Sequence, residues 1–312
     1  MPRVAIVIVT YNSASEIVAC LDALAANAPP DTEVIVVDNA SGDATCSLVR
    51  DRGICILCNP ANAGFAAALN QGVRATTAPL VLSLNPDAHL LRGLEAMAQC
   101  FDQLPAEKVG AVGGMLIGDD GTPQRGFMAR NLPTPAALIF EVLGVNRLWP
   151  RNPANWHYRC LGLDHMRLSR VDQPPGAFLM FSRAAWQTVG GFDERFRPIW
   201  FEDVDFCARL HGAGYSAYYH PSAVARHTGS HSINPLALEN RARYWYGNLL
   251  EYASKHYRSG AFRTTCVAVA IGAVFRAASG FPRHGFKAFA VYSGITVLAL
   301  RRAFQGPGGR AS

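Results

Sequence analysis

No run of apolar residues in this 312-residue chain approaches the roughly 20 that a membrane-spanning helix needs. The amino terminus passes from Met1-Pro2-Arg3 straight into an apolar stretch at 4–9, without a charged lead or a small-residue cleavage site, so no export signal is expected. Neither G-x-G-x-x-G nor G-x-x-x-x-G-K-[ST] occurs, which excludes a dinucleotide-binding turn and a phosphate-cradling P-loop. Among the eight cysteines (20, 46, 55, 58, 100, 160, 207 and 266) only Cys55 and Cys58 form a C-x-x-C pair, and no second Cys/His pair at zinc-ligand spacing accompanies it. Structural cysteines in a buried strand and a reducing cytoplasm are therefore expected. Acidic residues are missing altogether beyond Glu251, where nine Lys and Arg follow, while the first 251 residues hold 20 basic against 23 acidic groups. The basic character belongs to the tail, and nucleic-acid binding by the main body has no support in charge.

Half of the residues are apolar and 17% are charged, which excludes a disordered or fibrous chain. Continuous β-branched and apolar runs at 4–9, 33–38, 54–57 and 80–84 predict buried parallel strands, and 14–26, 43–50 and 66–75 predict the intervening helices. Polar residues gather just after three of these strands: Thr10-Tyr11-Asn12, Asp38-Asn39-Ala40-Ser41 and Asn85-Pro86-Asp87. Ligands of open α/β sheets bind at that edge, so three strand ends nominate one site. After a strand at 109–117, residues 118–172 predict loops and a short helix covering the sheet. Glu202-Asp203-Val204-Asp205 opens a helix that Gly212 and Gly214 end, and 215–219 returns as a strand.

The segments VAIVIVTYNS, VIVVDNASGD, NPANAGFAAALNQG, VLSLNPD, PPGAFLMFSR, VGGFDERF and FEDVDFCARLHGAGY, followed by His227, run in order over residues 4–227. In this series the chain resembles the family 2 inverting glycosyltransferases of the GT-A fold, particularly their rhamnosyltransferase-like members. The resemblance implies an α/β GT-A fold over residues 1–250, with a mostly parallel central sheet flanked by helices, and a basic helical extension over 251–312. It implies an inverting transfer of a sugar, L-rhamnose from dTDP-L-rhamnose, to a hydroxyl of a lipid-linked or polysaccharide acceptor in cell-surface glycan synthesis, at the inner face of the cytoplasmic membrane.

Residue by residue, Asp38 matches the family's base-binding aspartate; a turn or helix cap is the bland alternative, a role that Ser41 or Asp43 could take instead. Thr10, Tyr11, Asn12, Asn39 and Ser41 would line the same donor pocket, with Asn62, Gly64 and Asn70 on its far side. Asn85-Pro86-Asp87 stands where the family carries its D-x-D motif, so Asp87 would hold Mg²⁺ or Mn²⁺ and Asn85 replaces one anionic ligand by an amide; an ordinary β-turn is the bland alternative. His227 lies 24 residues beyond Asp203, the spacing of the family's metal-binding histidine, with His231 its nearest competitor and His220 structural. Asp203 matches the catalytic base, and Glu202 would bind the acceptor, whereas a dipole-stabilised first turn explains the same acids without chemistry.

Trp200, with Phe196 and Phe201, would stack on sugar faces or pack in the core, and Gly176-Ala177 would leave room for the donor ring. Arg241 and Arg243 would close over a diphosphate or remain helix-surface charge. Two rival functions stand beside the transferase. A nucleotidyltransferase needs a Gly-rich, basic loop that T-Y-N-S lacks, and a non-catalytic sugar-nucleotide-binding protein is favoured only by Asn85. In the tail, apolar runs at 266–275 and 288–300, bracketed by basic residues, predict helices lying on an anionic membrane surface, or packed on the sheet or a second subunit.

Overall fold

The structure, a computed structural model, describes residues 2–104, 108–229 and 237–308. It divides into two compact units, one of Met1–Leu132, Arg159–Pro198 and Glu202–Asn234, the other of Pro133–Tyr158, Ile199–Phe201 and Pro235–Ser312. In chain order the elements of the first half are β1 (Val4–Thr10), α1 (Ile17–Asn27), β2 (Glu33–Asp38), α2 (Thr45–Arg50), β3 (Cys55–Cys58), α3 (Phe65–Arg74), β4 (Leu80–Leu84), β5 (Ala88–Arg92), α4 (Leu94–Gln103) and β6 (Val109–Ile117). There follow α5 (Pro135–Val142), α6 (Val145–Leu148), α7 (Pro153–Tyr158), β7 (Ser169–Val171), β8 (Phe178–Ser182), α8 (Arg183–Thr188), α9 (Glu202–Gly212), β9 (Ser216–His227), α10 (Leu238–His256), α11 (Ser259–His284) and α12 (Phe286–Gln305). The sequence division at residue 250 falls inside α10.

In the first unit the described strands form one sheet in the order β3-β2-β1-β4-β8-β6-β9-β5, with β7 on β9. Every residue of β1 is buried, because the strand is central and apolar on both faces. Its side chains alternate: Ile6 and Ile8 enter the core that holds Leu82, Leu84 and Phe178, while Val7 and Val9 enter the core of Phe181, Phe192 and Phe206. Phe196 is fully buried, so core packing and not sugar stacking accounts for it.

Two expectations need correction. The sheet is mixed and not mostly parallel: β1–β2, β1–β4, β2–β3 and β6–β9 are parallel, while β4–β8, β5–β9, β6–β8 and β7–β9 are antiparallel. β5 and the twelve-residue β9 supply much of the difference, and β9 runs well past the predicted 215–219. The C-x-x-C strand lies at the sheet edge, so Cys55 and Cys58 are exposed, not buried, and Cys58 Sγ lies 3.3 Å from Cys46 Sγ.

The second unit is helical. Its segment 133–158 contains α5, α6 and α7, where the sequence predicted a loop cover and one short helix. Thr134 caps α5 by accepting from Ala137 N at 3.2 Å, with Pro135 in the first turn. α11 packs against α12, α5 and α10. At the α5 contact a Cβ on Gly272 would stand 2.1 Å from the carbonyl oxygen of Val142, so only glycine admits this approach. α11 has 26 residues, and its 18-residue window of mean hydropathy 1.5 is long and apolar enough to cross a membrane, with 44% of that window buried inside the protein. Counting unbroken apolar runs missed it, because Thr264, Thr265 and Arg276 bound the run at 266–275 while the average over a longer window stays high.

Candidate active site

The ends of β1, β2 and β4, the loop before α3, the segment before β8, the start of α9 and the end of β9 all belong to the first unit. Parallel pairing carries Thr10 beside Asp38 in the ladder, and Thr10 Oγ1 donates to Asp38 Oδ1 at 2.8 Å. Ser41 closes over the same carboxylate, its backbone N–H on Oδ2 at 2.8 Å and its hydroxyl on Oδ1 at 2.5 Å. Asn12, in the left-handed region at φ 52°, accepts from Gly42 N on its side-chain oxygen and donates its own backbone N–H to Ser41 Oγ, each at 2.8 Å. Tyr11 stands 44% exposed beside this clasp.

Asn39 joins β2 to the loop before α3: Nδ2 donates to Gly64 O at 3.2 Å, while Oδ1 accepts from Asn59 Nδ2 and Ala63 N. Asn62 Oδ1 in turn accepts from Gly64 N. Asn70 does not fit the donor contact expected of it. It is buried, and its amide is taken up by Phe192 N and O, Trp186 Nε1 and Glu194 Oε1, so it pins the segment after α8 to α3.

Asp87 and His227 come together because β5 and β9 pair antiparallel with Ala88 opposite His227. Asp87 Oδ1 lies 3.6 Å from His227 Nε2, and both side chains are 8% exposed. Gln124 decides what this contact is. Its Nε2 donates to the carbonyl oxygen of His227 at 2.7 Å, which turns Oε1 toward His227 Nδ1 at 3.0 Å. Nδ1 then carries the ring proton, leaving Nε2 a lone pair aimed toward the carboxylate. Burial holds the imidazole pKa below its ordinary value, against the pull of Asp87, and the ring stacks on Phe127 at 5.4 Å. Two electron-pair donors thus face one another without a proton between them, which is chemistry suited to a hard divalent cation. Among the described residues no group of three or more His, Cys, Asp or Glu side chains that could hold a metal ion gathers, so Asp87 and His227 stand as a pair. His231 lies outside the described residues.

Asp203 in the first turn of α9 is fixed from two sides: Oδ2 accepts from Gly176 N at 2.9 Å and from Gln173 Nε2 at 3.0 Å, and Oδ1 accepts from Val204 N. A Cβ on Gly176 would stand 3.2 Å from Asp203 Cβ, which explains a glycine where the notch meets the acid. The segment is stapled to β4, since Ser83 Oγ donates to Gly176 O and Asn85 N to Ala177 O. Through these bonds the end of β4 and the start of α9 share one backbone segment. Asn85 keeps a half-buried amide here.

Glu202 is 6% exposed, and its Oε2 is buried without a hydrogen-bond partner among the described residues; burial, then the neighbouring Asp203, pushes its carboxyl well above the usual range. Asp205 is fully buried and bonded to Arg209 at 2.7 Å, one helical turn along, which gives it a structural role. Trp200 belongs to the second unit. Gln124, Gln173 and Phe127 were not singled out in the sequence; glutamines carry no motif, and only the fold aims their amides at His227 and Asp203.

A family model described as glycosyltransferase like family 2 matches residues 2–248. The chain belongs to this family. It is a glycosyltransferase with a GT-A-like α/β fold around a central mixed sheet. The chain is 29% identical over 270 residues to a Mycobacterium tuberculosis N-acetylglucosaminyl-diphospho-decaprenol L-rhamnosyltransferase, covering 80% of this chain and 84% of the relative. Among solved structures it resembles the mannosyltransferase PcManGT of Pyrobaculum calidifontis in complex with GDP-Man and Mn²⁺ (20% identity, TM-score 0.54, 96% of this chain and 81% of the other). S. aureus TarS 1-349 in complex with UDP-GlcNAc matches with TM-score 0.58 at 14% identity, covering 97% and 81%. The match to this glycosyltransferase family ends at 248, inside α10, so α11 and α12 lie outside it.

Proposed function

We propose that this glycosyltransferase moves L-rhamnose from dTDP-L-rhamnose, with inversion, to a hydroxyl of a saccharide carried on a prenyl diphosphate. The single observation that carries the chemistry is the facing pair Asp87–His227, held in a lone-pair-to-lone-pair arrangement by Gln124. The similarity to a rhamnosyltransferase supports the donor sugar and the lipid-linked acceptor. Asp38 holds the pyrimidine N–H once the Ser41 hydroxyl rotates away, and Thr10, Tyr11, Asn12, Asn39, Asn62 and Gly64 shape the pocket around it. A divalent cation, Mg²⁺ or Mn²⁺, on Asp87 and His227 would supply charge neutralisation to the departing diphosphate.

Asp203 removes the proton of the acceptor hydroxyl as its oxygen attacks the anomeric carbon, and the carbon–oxygen bond to the diphosphate breaks on the opposite face. Gly176 N and Gln173 Nε2 both bond one carboxylate oxygen, while the other accepts from Val204 N and offers its remaining lone pair to the proton. The reaction releases dTDP. Mixing the protein with a panel of nucleotide sugars, Mg²⁺ or Mn²⁺ and a prenyl-diphosphate-linked N-acetylglucosamine tests this: dTDP release from dTDP-L-rhamnose alone among the donors is expected. Donor-induced thermal stabilisation without release would replace the transferase by a non-catalytic binder.

The second unit supports contact with a membrane. On α11, Val267, Ile271, Val274 and Phe275 are exposed at helical spacing, and on α12 Phe286, Phe289, Val297, Leu300 and Phe304 are exposed. Nine basic and no acidic residues follow Glu251, so the surface facing this apolar set is an anionic lipid leaflet. A lipid-linked acceptor resides there, at the cytoplasmic face.

A further inference from the structure

The second unit contains a cavity of about 390 Å³ that the sequence motifs do not touch. Its walls are Trp200, Arg241, Trp245, Tyr246, Arg276 and Tyr292, with Glu141 at one side. That volume takes the polar part of one medium-sized ligand. Beside the aliphatic Leu238 and Ala242, four aromatic rings and two guanidinium groups line this open space, a set suited to stacking on and pairing with a polar ligand.

The two arginines differ. Arg276 is fixed: it donates to the carbonyl oxygens of Glu141, Val142 and Gly272, and its guanidinium lies 5.9 Å from the Tyr246 ring. Arg241 is exposed and, among the described residues, has no side-chain partner, so its planar fork is available to an anion. The Glu141 carboxylate accepts from Asn146 Nδ2 at 2.7 Å, which ties it to its own unit.

Trp200 is set in the wall by unusual backbone. Trp200 and Phe201 lie at φ 80° and 71°, the left-handed region that side chains rarely adopt. Asn248 Nδ2 holds the turn by donating to the carbonyl oxygens of Ile199 at 2.8 Å and Trp200 at 3.1 Å. Strain of this kind persists where the surroundings over-determine it. Asp203 follows Trp200 by three residues of chain. The helices that line the cavity also carry the exposed apolar set, since Arg276 adjoins exposed Phe275 on α11 and Tyr292 shares α12 with exposed Phe289. An aromatic and cationic cavity combined with an apolar outer face in one unit matches a ligand that is itself divided, with a hydrocarbon tail and an anionic saccharide head.

We propose that this cavity binds the diphospho-saccharide head of the prenyl-linked acceptor, with Arg241 on the diphosphate and Trp200 and Trp245 against the sugar. The proposal rests on the transferase reading above and adds where the acceptor is held. The test uses the full chain and Arg241→Ala, Arg241→Lys and Trp245→Phe. Transfer from dTDP-L-rhamnose to a short-chain prenyl-diphospho-N-acetylglucosamine should show an acceptor KM raised about 10–100-fold in Arg241→Ala, the loss of one charge-assisted hydrogen bond. Donor KM and donor hydrolysis without acceptor should stay at the wild-type level, and Arg241→Lys should recover part of the loss.

A second arm needs no turnover. Tryptophan fluorescence of the wild-type protein should be quenched by geranyl diphosphate, less by inorganic pyrophosphate, and neither effect should survive in Arg241→Ala. An unchanged acceptor KM in both Arg241→Ala and Trp245→Phe, or a rise in donor KM instead, overturns the proposal. If the wild-type chain transfers nothing, the transferase reading fails, while Arg241-dependent quenching still supports the cavity and its absence overturns it.

Discussion

In the sheet unit the polar groups of the site are bonded to one another: Asp38 to Thr10 and Ser41, His227 to Gln124, Asp203 to Gly176 and Gln173. In the helical unit Arg241 has no such partner among the described residues, and Phe286 and Phe304 are 81% and 86% exposed. The first arrangement is preorganised, as a site must be when it acts on charge that develops during reaction. The second leaves its apolar and cationic groups for something outside the chain. The contrast separates chemistry from the handling of an amphiphilic substrate, and it can be broken at several points.

The largest effect should come from Asp203→Asn. The isosteric amide keeps the shape but cannot take the proton, so kcat should fall roughly 10²–10⁴-fold while donor affinity, read by thermal shift, stays near wild type. Retention of a tenth of the wild-type kcat would move the base elsewhere. Next in size, Asp87→Ala and EDTA should each abolish the metal-dependent part of donor stabilisation. Gln124→Leu should weaken metal affinity about 10–100-fold, because the histidine tautomer is no longer fixed. Calorimetric titration with Mn²⁺ checks both, and an unchanged Gln124→Leu isotherm would sever the glutamine from the site.

In the helical unit, Phe286→Ser with Phe304→Ser should lower binding to anionic vesicles more than tenfold, since each buried Phe contributes about 1.5–3 kcal/mol, while a soluble acceptor is still glycosylated. Equal flotation of mutant and wild type would make the exposed face irrelevant to lipid. The smallest effect concerns Glu202. Its folded-state pKa is raised above the ordinary 4.5, so the neutral acid is favoured by folding, and stability is full below that value and falls as pH rises toward the folded pKa. Glu202→Gln should therefore flatten the melting temperature above about pH 4.5. A mutant profile parallel to the wild-type one would place the buried carboxyl's titration elsewhere.

Much of the frame was legible in the amino-acid order. The runs that became β1, β2 and β4 are apolar except at Thr10, Glu33, Asp38 and Ser83, a pattern that suits strands covered on both faces. The polar residues after them reach one edge because parallel strands share a direction. Seven ordered segments from VAIVIVTYNS to FEDVDFCARLHGAGY, followed by His227, carried the family resemblance before any contact was known. Asn70 misled the reading because a buried structural amide and a ligand-binding one look alike in sequence; only the contacts with Phe192 and Trp186 tell them apart.

By itself, then, the sequence determined the first four strands, the helices between them and the family, since these follow from local periodicity and from residue types in ordered motifs. Tertiary structure alone decided that β5 and β9 pair so that His227 meets Asp87, and that Gln124 and Gln173 aim their amides at the histidine and the acid. It also gathered Trp200, Arg241 and Arg276 around one cavity from three separate stretches of chain. The physical reason is range: hydrogen-bond partners and cavity walls are chosen by packing among residues tens to more than a hundred positions apart, and no local pattern records that choice.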